Sequence, residues 1–170
     1  GSVAGLPPDM VTLPQVMRRA GYRAHMVGKW HLGHAQPKQG PTGRGFESHT
    51  GSYMWDLESY TKLMWNMPWG PPFGADWVTS YENGSSRHFA EPRHSTIALT
   101  SEAIQVMDRH SASEGSSPLF LYLSYNAAHS PLQPEAEWLD KCGHITHLWR
   151  RQYCGMVVGL DEHIDQSAQE

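Results

Sequence analysis

Gly21-Tyr22-Arg23-Ala24-His25-Met26-Val27-Gly28-Lys29-Trp30-His31-Leu32-Gly33 decides how this chain is read. The run from Tyr22 to Val27 predicts a strand, and Lys29 and His31 stand just beyond it, two residues apart. In extended backbone alternate side chains share a face at ~3.3 Å of rise per residue, which sets the two Cα atoms ~6.6 Å apart on one side. A cationic pair of that size suits one tetrahedral anion. Trp30 points the other way and is expected in a core. Gly28 leaves the backbone beside Lys29 bare, and Gly33 lets the chain turn away.

Upstream, Thr12-Leu13-Pro14-Gln15 forms a capping box, with Thr12 as N-cap and Pro14 in the first turn. Val11 and Val16 are the expected hydrophobic staple. A helix over residues 13–20 follows, and Gly21 is its expected C′ residue. The result is an αβ unit with its chemistry-bearing residues at the carboxyl end of the strand.

Downstream, residues 34–94 keep no period of 2 or 3.6. They are expected to form turns and a small hairpin that serve as a lid or pocket wall. Trp55, Trp65, Trp69 and Trp77 give this region faces suited to stacking on a sugar or aryl ring, although burial is the commoner use of Trp. Ser95 or Thr96 starts a helix with Ile97, Thr100 or Ser101, Ile104 and Met107 along one face, ending near His110 before a linker over 111–117. Leu119-Phe120-Leu121-Tyr122-Leu123-Ser124-Tyr125 reads as a strand covered on both faces. A short helix over 135–141 is expected. A final helix is marked by Trp149, Tyr153, Met156, Val157, Leu160 and Ile164, with Met156, Val157, Leu160 and Ile164 as its core stripe. The order helix, strand, long loop, helix, strand, helix predicts an α/β fold with a largely parallel sheet.

The chain has 170 residues and a formal charge of −4 at pH 7, so no basic field recruits nucleic acid. Eleven histidines could add positive charge in an acidic compartment. No apolar run is long enough to span a membrane. The opening Gly1-Ser2-Val3 reads as the interior of a longer chain or a cloning remnant. Cys142 and Cys154 make no disulfide framework. With His144 and His147 they give C-x-H-x2-H-x6-C, which is not a standard structural-zinc spacing; a buried thiol or an incidental disulfide is the ordinary reading. Asn83-Gly84-Ser85 fits the N-glycosylation sequon, which matters only in a secreted protein. His25 is expected as a satisfied core histidine. His34, His49, His88 and His94 are expected in loops and solvated.

Ligands of open α/β sheets bind outside the carboxyl ends of strands. Lys29 and His31 are expected there after one strand and His129 after another. Three cation-capable side chains then meet around an oxyanion, stabilising charge that grows on oxygen. A histidine among them can protonate a leaving oxygen.

These residues resemble the sulfatase family, and within it the arylsulfatase B-like group. The resemblance rests on Thr12-Leu13-Pro14-Gln15, on Gly21-Tyr22, and on Val27-Gly28-Lys29-Trp30-His31-Leu32-Gly33. It continues through Arg44-Gly45-Phe46 with Gly51, through Pro118-Leu119-Phe120-Leu121-Tyr122-Leu123, and through His129-Ser130-Pro131-Leu132-Gln133. Gly155-Met156-Val157 and Leu160-Asp161-Glu162 close it. Ala24 stands where members usually carry Ser or Thr. Tyr53-Met54-Trp55-Asp56 offers no clear equivalent of a serine often found near the substrate.

The resemblance implies an alkaline-phosphatase-like sandwich, present here only in part, so residues 1–170 would be an internal piece of a catalytic domain. The family's nucleophile is a formylglycine made from Cys or Ser in a C/S-x-P-x-R motif, and its calcium ligands are an Asp pair and a later Asp-Asn pair. None of these occurs in this sequence, so calcium and formylglycine are expected from outside the chain and the isolated piece is expected to be inactive. The family mechanism attacks the sulfur of a sulfate ester. Lys29 and His129 would bind the sulfate, Lys29 and His31 would contact the nucleophile, and His129 would protonate the departing alcohol. The expected partners are a small-molecule or glycan sulfate ester and the remainder of the parent domain, and the family compartment is lysosomal or secreted. Two rival functions keep the same residues: phosphodiester or phosphonate hydrolysis, and sulfated-glycan binding without turnover.

Overall fold

A computed structural model of the protein describes residues 5–54, 58–63, 74–88, 91–113 and 117–169. The capping box opens α1 (Leu13–Arg19). The Gln15 side chain accepts from the Thr12 N–H at 3.0 Å, while the Thr12 hydroxyl donates to the Arg44 carbonyl at 2.6 Å. The buried Arg44 guanidinium in turn donates to the carbonyls of Pro8 and Met10. The Arg-Gly-Phe motif thus clamps the segment leading into α1. Val11 and Val16 are 55% and 47% exposed, so the expected staple buries nothing here.

The chain then enters β1 (Arg23–Gly28) and passes through two 3-10 turns, Pro37–Gln39 and Thr42–Arg44. Next come β2 (Ser48–Gly51) and the hairpin β3 (Val78–Tyr81) and β4 (Ser86–His88). The rest is α2 (Ser95–Ser113), β5 (Leu119–Ser124), α3 (Ala136–Lys141) and α4 (Leu148–Ala168). One five-stranded sheet has the order β4-β3-β2-β1-β5. β1 pairs in parallel with β2 and with β5, and β3 and β4 extend the sheet antiparallel. The α/β expectation holds, with the parallel strands β2, β1 and β5 on one side of the sheet and the antiparallel hairpin on the other. The hairpin expected within 34–94 is β3–β4, whereas β2 carried no legible strand signal.

Alternation along the strands builds two cores. Val27 joins Trp77, Ala98, Leu99, Ala103 and Val106 beneath α2, with Leu119, Leu121 and Leu123 of β5 packed against them. On the other face Ala24 and Met26 join Trp30 and Phe46, with Phe120 and Tyr53 alongside. Trp77 is therefore a core residue rather than a stacking surface. Trp55, Trp65 and Trp69 lie outside the described residues.

Three expectations are corrected. First, α2 runs to Ser113, past the break expected near His110. Its buried residues are Ser95, Thr96, Ala98, Leu99, Thr100, Ala103 and Val106 rather than Ile97, Ile104 and Met107, because this stripe meets the sheet. Second, β5 is covered on neither face completely: it is half-buried, with Tyr122 47% exposed. Among the described strands it is an edge with only β1 beside it. Third, α4 buries Gly155, Met156 and Gly159, whereas Trp149, Tyr153, Val157 and Ile164 of the expected stripe are exposed. The small residues win because α4 must come close to α3: a Cβ on Gly159 would lie 2.4 Å from the Trp138 ring. Cys142, after α3, is joined to Cys154 of α4 by a disulfide, which leaves no thiolate for zinc.

Candidate active site

The carboxyl ends of β1, β2 and β5 are drawn together where two glycines omit a side chain. Gly28 has φ +119°, and a Cβ there would stand 1.8 Å from the Ser124 carbonyl oxygen. A Cβ on Gly51 would stand 2.2 Å from the Gly28 oxygen. Neither gap admits a methyl group, so the strand ends close only on glycine.

The backbone after Gly28 threads between the neighbouring strand ends. The Lys29 N–H donates to Ser124 O at 2.8 Å, the Trp30 N–H to Ser52 O at 2.9 Å, and the His31 N–H to Tyr53 O at 3.1 Å. The strand has already ended, and His31 sits at φ 54°. Lys29 and His31 therefore do not share a strand face as period-2 spacing predicts; they lie on a turn pinned to β5 and β2. Trp30 behaves as expected. It is 6% exposed, meets Phe46 edge-to-face at 6.3 Å, and donates its ring N–H to the carbonyls of Gly33 and Gln39.

His129 arrives on the loop after β5. The Asn126 amide nitrogen reaches the Ser52 hydroxyl at 3.3 Å, tying this loop to the end of β2. The His129 N–H donates to Asn126 O at 3.0 Å. Its ring Nδ1–H donates to the Ser130 carbonyl at 2.8 Å. The loop is anchored further on, where Gln133 accepts from the Ser59 N–H through its side chain and from His94 through its carbonyl.

The segments carrying Lys29, His31 and His129 thus meet at one edge of the parallel core, with Ser52 bonded to both Trp30 and Asn126. The side chains divide further out. His31 lines a cleft of about 600 Å³ with His34, Tyr53 and Met54. His129 lines a separate small pocket with Ser59, Ser95, Asn126 and Met156. Lys29 is half-buried between the strand ends.

Several residues that support this edge escaped the sequence reading. His49 is fully buried rather than solvated, and its Nε2–H donates to the Gly28 carbonyl at 2.9 Å, just before Lys29. Burial pushes its pKa down to about 4, against the pull of that hydrogen bond. The Asp76 carboxylate, 7% exposed, accepts the backbone N–H groups of Tyr53 and Met54. His94 was expected in solvent and is 1% exposed. It accepts the Thr96 N–H at the start of α2 on Nδ1 and donates from Nε2 to Gln133. Burial, then the Lys62 charge, pushes its pKa down to about 4. Lys62 is itself buried and donates to the carbonyls of Ser59, Tyr60 and Arg93. Burial lowers its pKa to about 8. Only Gly51, a glycine at the end of an unremarkable stretch, hinted at this corner.

At the opposite end of the sheet His25 bonds the Ser48 hydroxyl at 2.8 Å; it is satisfied as expected, but it is half-buried beside a cavity rather than in the core. Burial lowers its pKa, opposed by Glu47. Among the described residues no group of three or more His, Cys, Asp or Glu side chains is placed to hold a cation. The residues here do not fit a calcium centre, and both cysteines are disulfide-bonded; no step below passes through a metal or a formylglycine.

A glycine-gated edge with a Lys-x-His turn beside a histidine loop, on a parallel α/β sheet, defines the class, and comparison places the chain in it. Residues 2–168 match the sulfatase family profile. The chain is 36% identical over 160 residues to arylsulfatase J of Mus musculus, covering 94% of this chain and 25% of that protein. It is 30% identical over 141 residues to N-acetylgalactosamine-6-sulfatase of Homo sapiens, covering 81% and 26%. Among solved structures, Ps i-CgsB in complex with k-i-k-neocarrahexaose superposes with a TM-score of 0.82 at 26% identity, covering 99% of this chain and 38% of that one. The chain belongs to the sulfatase family, and it spans about a quarter of the length of the curated relatives it matches.

Proposed function

We propose that the protein containing this chain hydrolyses sulfate esters carried on glycans, and that residues 1–170 form part of its catalytic domain. The observation that carries the reading is the meeting of the Lys29–His31 turn and the His129 loop at one edge of the parallel core, through Ser124 and Ser52. The Lys29 ammonium neutralises a non-bridging sulfate oxygen, and His31 contributes a second donor from the β2 side. His129 binds the bridging oxygen. With Nδ1 committed to Ser130, it delivers a proton from Nε2 as the alcohol leaves. Fixed donors of this kind act where charge grows on oxygen. The neocarrahexaose bound by Ps i-CgsB supports a glycan as the alcohol. In this proposal the formylglycine and the calcium ligands come from the rest of the protein, whose compartment is lysosomal or extracellular.

In the full-length protein, Lys29→Ala and His129→Ala are each expected to lower kcat by ~10² or more on a sulfated sugar. Wild-type activity in both variants refutes the assignment. Paired sulfate and phosphate esters of one alcohol separate sulfate hydrolysis from phosphodiester or phosphonate chemistry. Binding of a sulfated glycan without turnover would identify a binding module instead.

A further inference from the structure

We propose that Asn83 is an N-glycosylation site, presented by the β3–β4 hairpin. Asn83-Gly84-Ser85 is the sole N-x-S/T sequence in the chain, and its middle residue is not proline. It forms the tip of the hairpin, where residues 81–88 are all exposed. The tip is well held. The Tyr81 N–H donates to Ser85 O at 2.9 Å, the Gly84 N–H to Tyr81 O at 3.0 Å, and the Glu82 N–H to Glu47 O at 2.9 Å. Arg18 of α1 pairs with the Glu82 carboxylate at 2.9 Å.

The side chains are set for the transfer. The Asn83 Oδ1 accepts from the Ser85 hydroxyl at 2.6 Å and from the Ser85 N–H at 2.9 Å. Both bonds fall on the oxygen rather than on Nδ2, the nitrogen that must react. Two donors on the carbonyl oxygen draw electron density from the amide and make its N–H more acidic. In the transfer, Nδ2 bonds to the anomeric carbon of a lipid-pyrophosphate-linked oligosaccharide. The carbon–oxygen bond to the pyrophosphate breaks, the lipid pyrophosphate leaves with that electron pair, and one Nδ2 proton passes to a base of the transferase. Asn83 and Ser85 also stand at the rim of a cavity of about 570 Å³ at the amino end of the sheet, where an attached sugar has room to rest. The Cys142–Cys154 disulfide is an independent sign of the compartment, since such bonds persist where proteins are exported.

The test is site-resolved mass spectrometry on the full-length protein secreted from insect or mammalian cells. Treatment with peptide-N-glycosidase in heavy-oxygen water is expected to turn Asn83 into labelled aspartate. S85A is expected to abolish the label and S85T to retain it. The serine variants leave Asn83 in place, so the result stands even where N83Q fails to accumulate. An unlabelled Asn83 in the wild-type protein, or equal labelling in S85A, overturns the proposal. So does a wild-type protein held in the cytosol with both cysteines reduced. Sulfate-ester turnover measured on the same preparation reports separately on the proposed function.

Discussion

Gly28 shows how one missing methyl group shapes the edge that carries Lys29. Its carbonyl is held by His49 and faces Gly51, while its Cα lies against the Ser124 carbonyl. Gly28→Ala puts a Cβ 1.8 Å from that oxygen at a φ of +119°. The backbone has to move, and the full-length protein is expected to lose about 3 kcal/mol or more of stability. Thermal melting checks this, and an unchanged Tm refutes the close approach. The glycine was legible in sequence as bare backbone beside Lys29, but its partner Ser124 was not, because the contact joins residues 96 positions apart in the chain.

Among the helices, α4 is decided by small residues and by a covalent link to its neighbour. Gly159→Ala drives a methyl group into the Trp138 ring, which is itself fully buried. The expected cost is about 1–3 kcal/mol, read by urea denaturation; pairing it with Trp138→Phe is expected to recover part of the loss. Cys142 and Cys154 are 12 positions apart and close a short loop. Replacing both by serine is expected to cost about 3 kcal/mol through the freed unfolded chain, and a mildly reducing buffer is expected to mimic the double variant. The helix itself was legible from periodicity. Its buried side was legible only at Met156, since glycine carries no hydrophobic signal and Val157 and Ile164 of the predicted stripe face outward.

Across the whole molecule, buried histidines tie stability to pH. His49 and His94 both have pKa values pushed down to about 4 by burial, against an ordinary value of 6.5. Each is neutral in the folded protein and takes up a proton more readily once unfolded. Their contribution is therefore complete above pH 6.5 and lost as the pH falls from 6.5 towards 4, by up to ~3 kcal/mol for each histidine. Denaturation across that range is expected to steepen towards acid, and His94→Gln is expected to flatten the profile. A flat profile in the wild-type protein refutes the burial of both rings. Protonating His94 on Nδ1 also removes the acceptor for the Thr96 N–H at the head of α2. That local cost points the same way.

The sequence by itself determined the local features: the capping box, the strand before Gly28, the burial of Trp30, the hairpin turn, and the Lys-x-His and His-Ser-Pro motifs that mark the family. Each rests on neighbours in the chain or on a short period, and such signals survive without knowledge of the fold. Only the tertiary structure decided that Lys29 and His31 leave the strand for a turn, that His49 and His94 are buried, and which faces of α2 and α4 are covered. Those outcomes depend on what each segment meets across the sheet, and steric exclusion and desolvation act between atoms that the linear order leaves far apart.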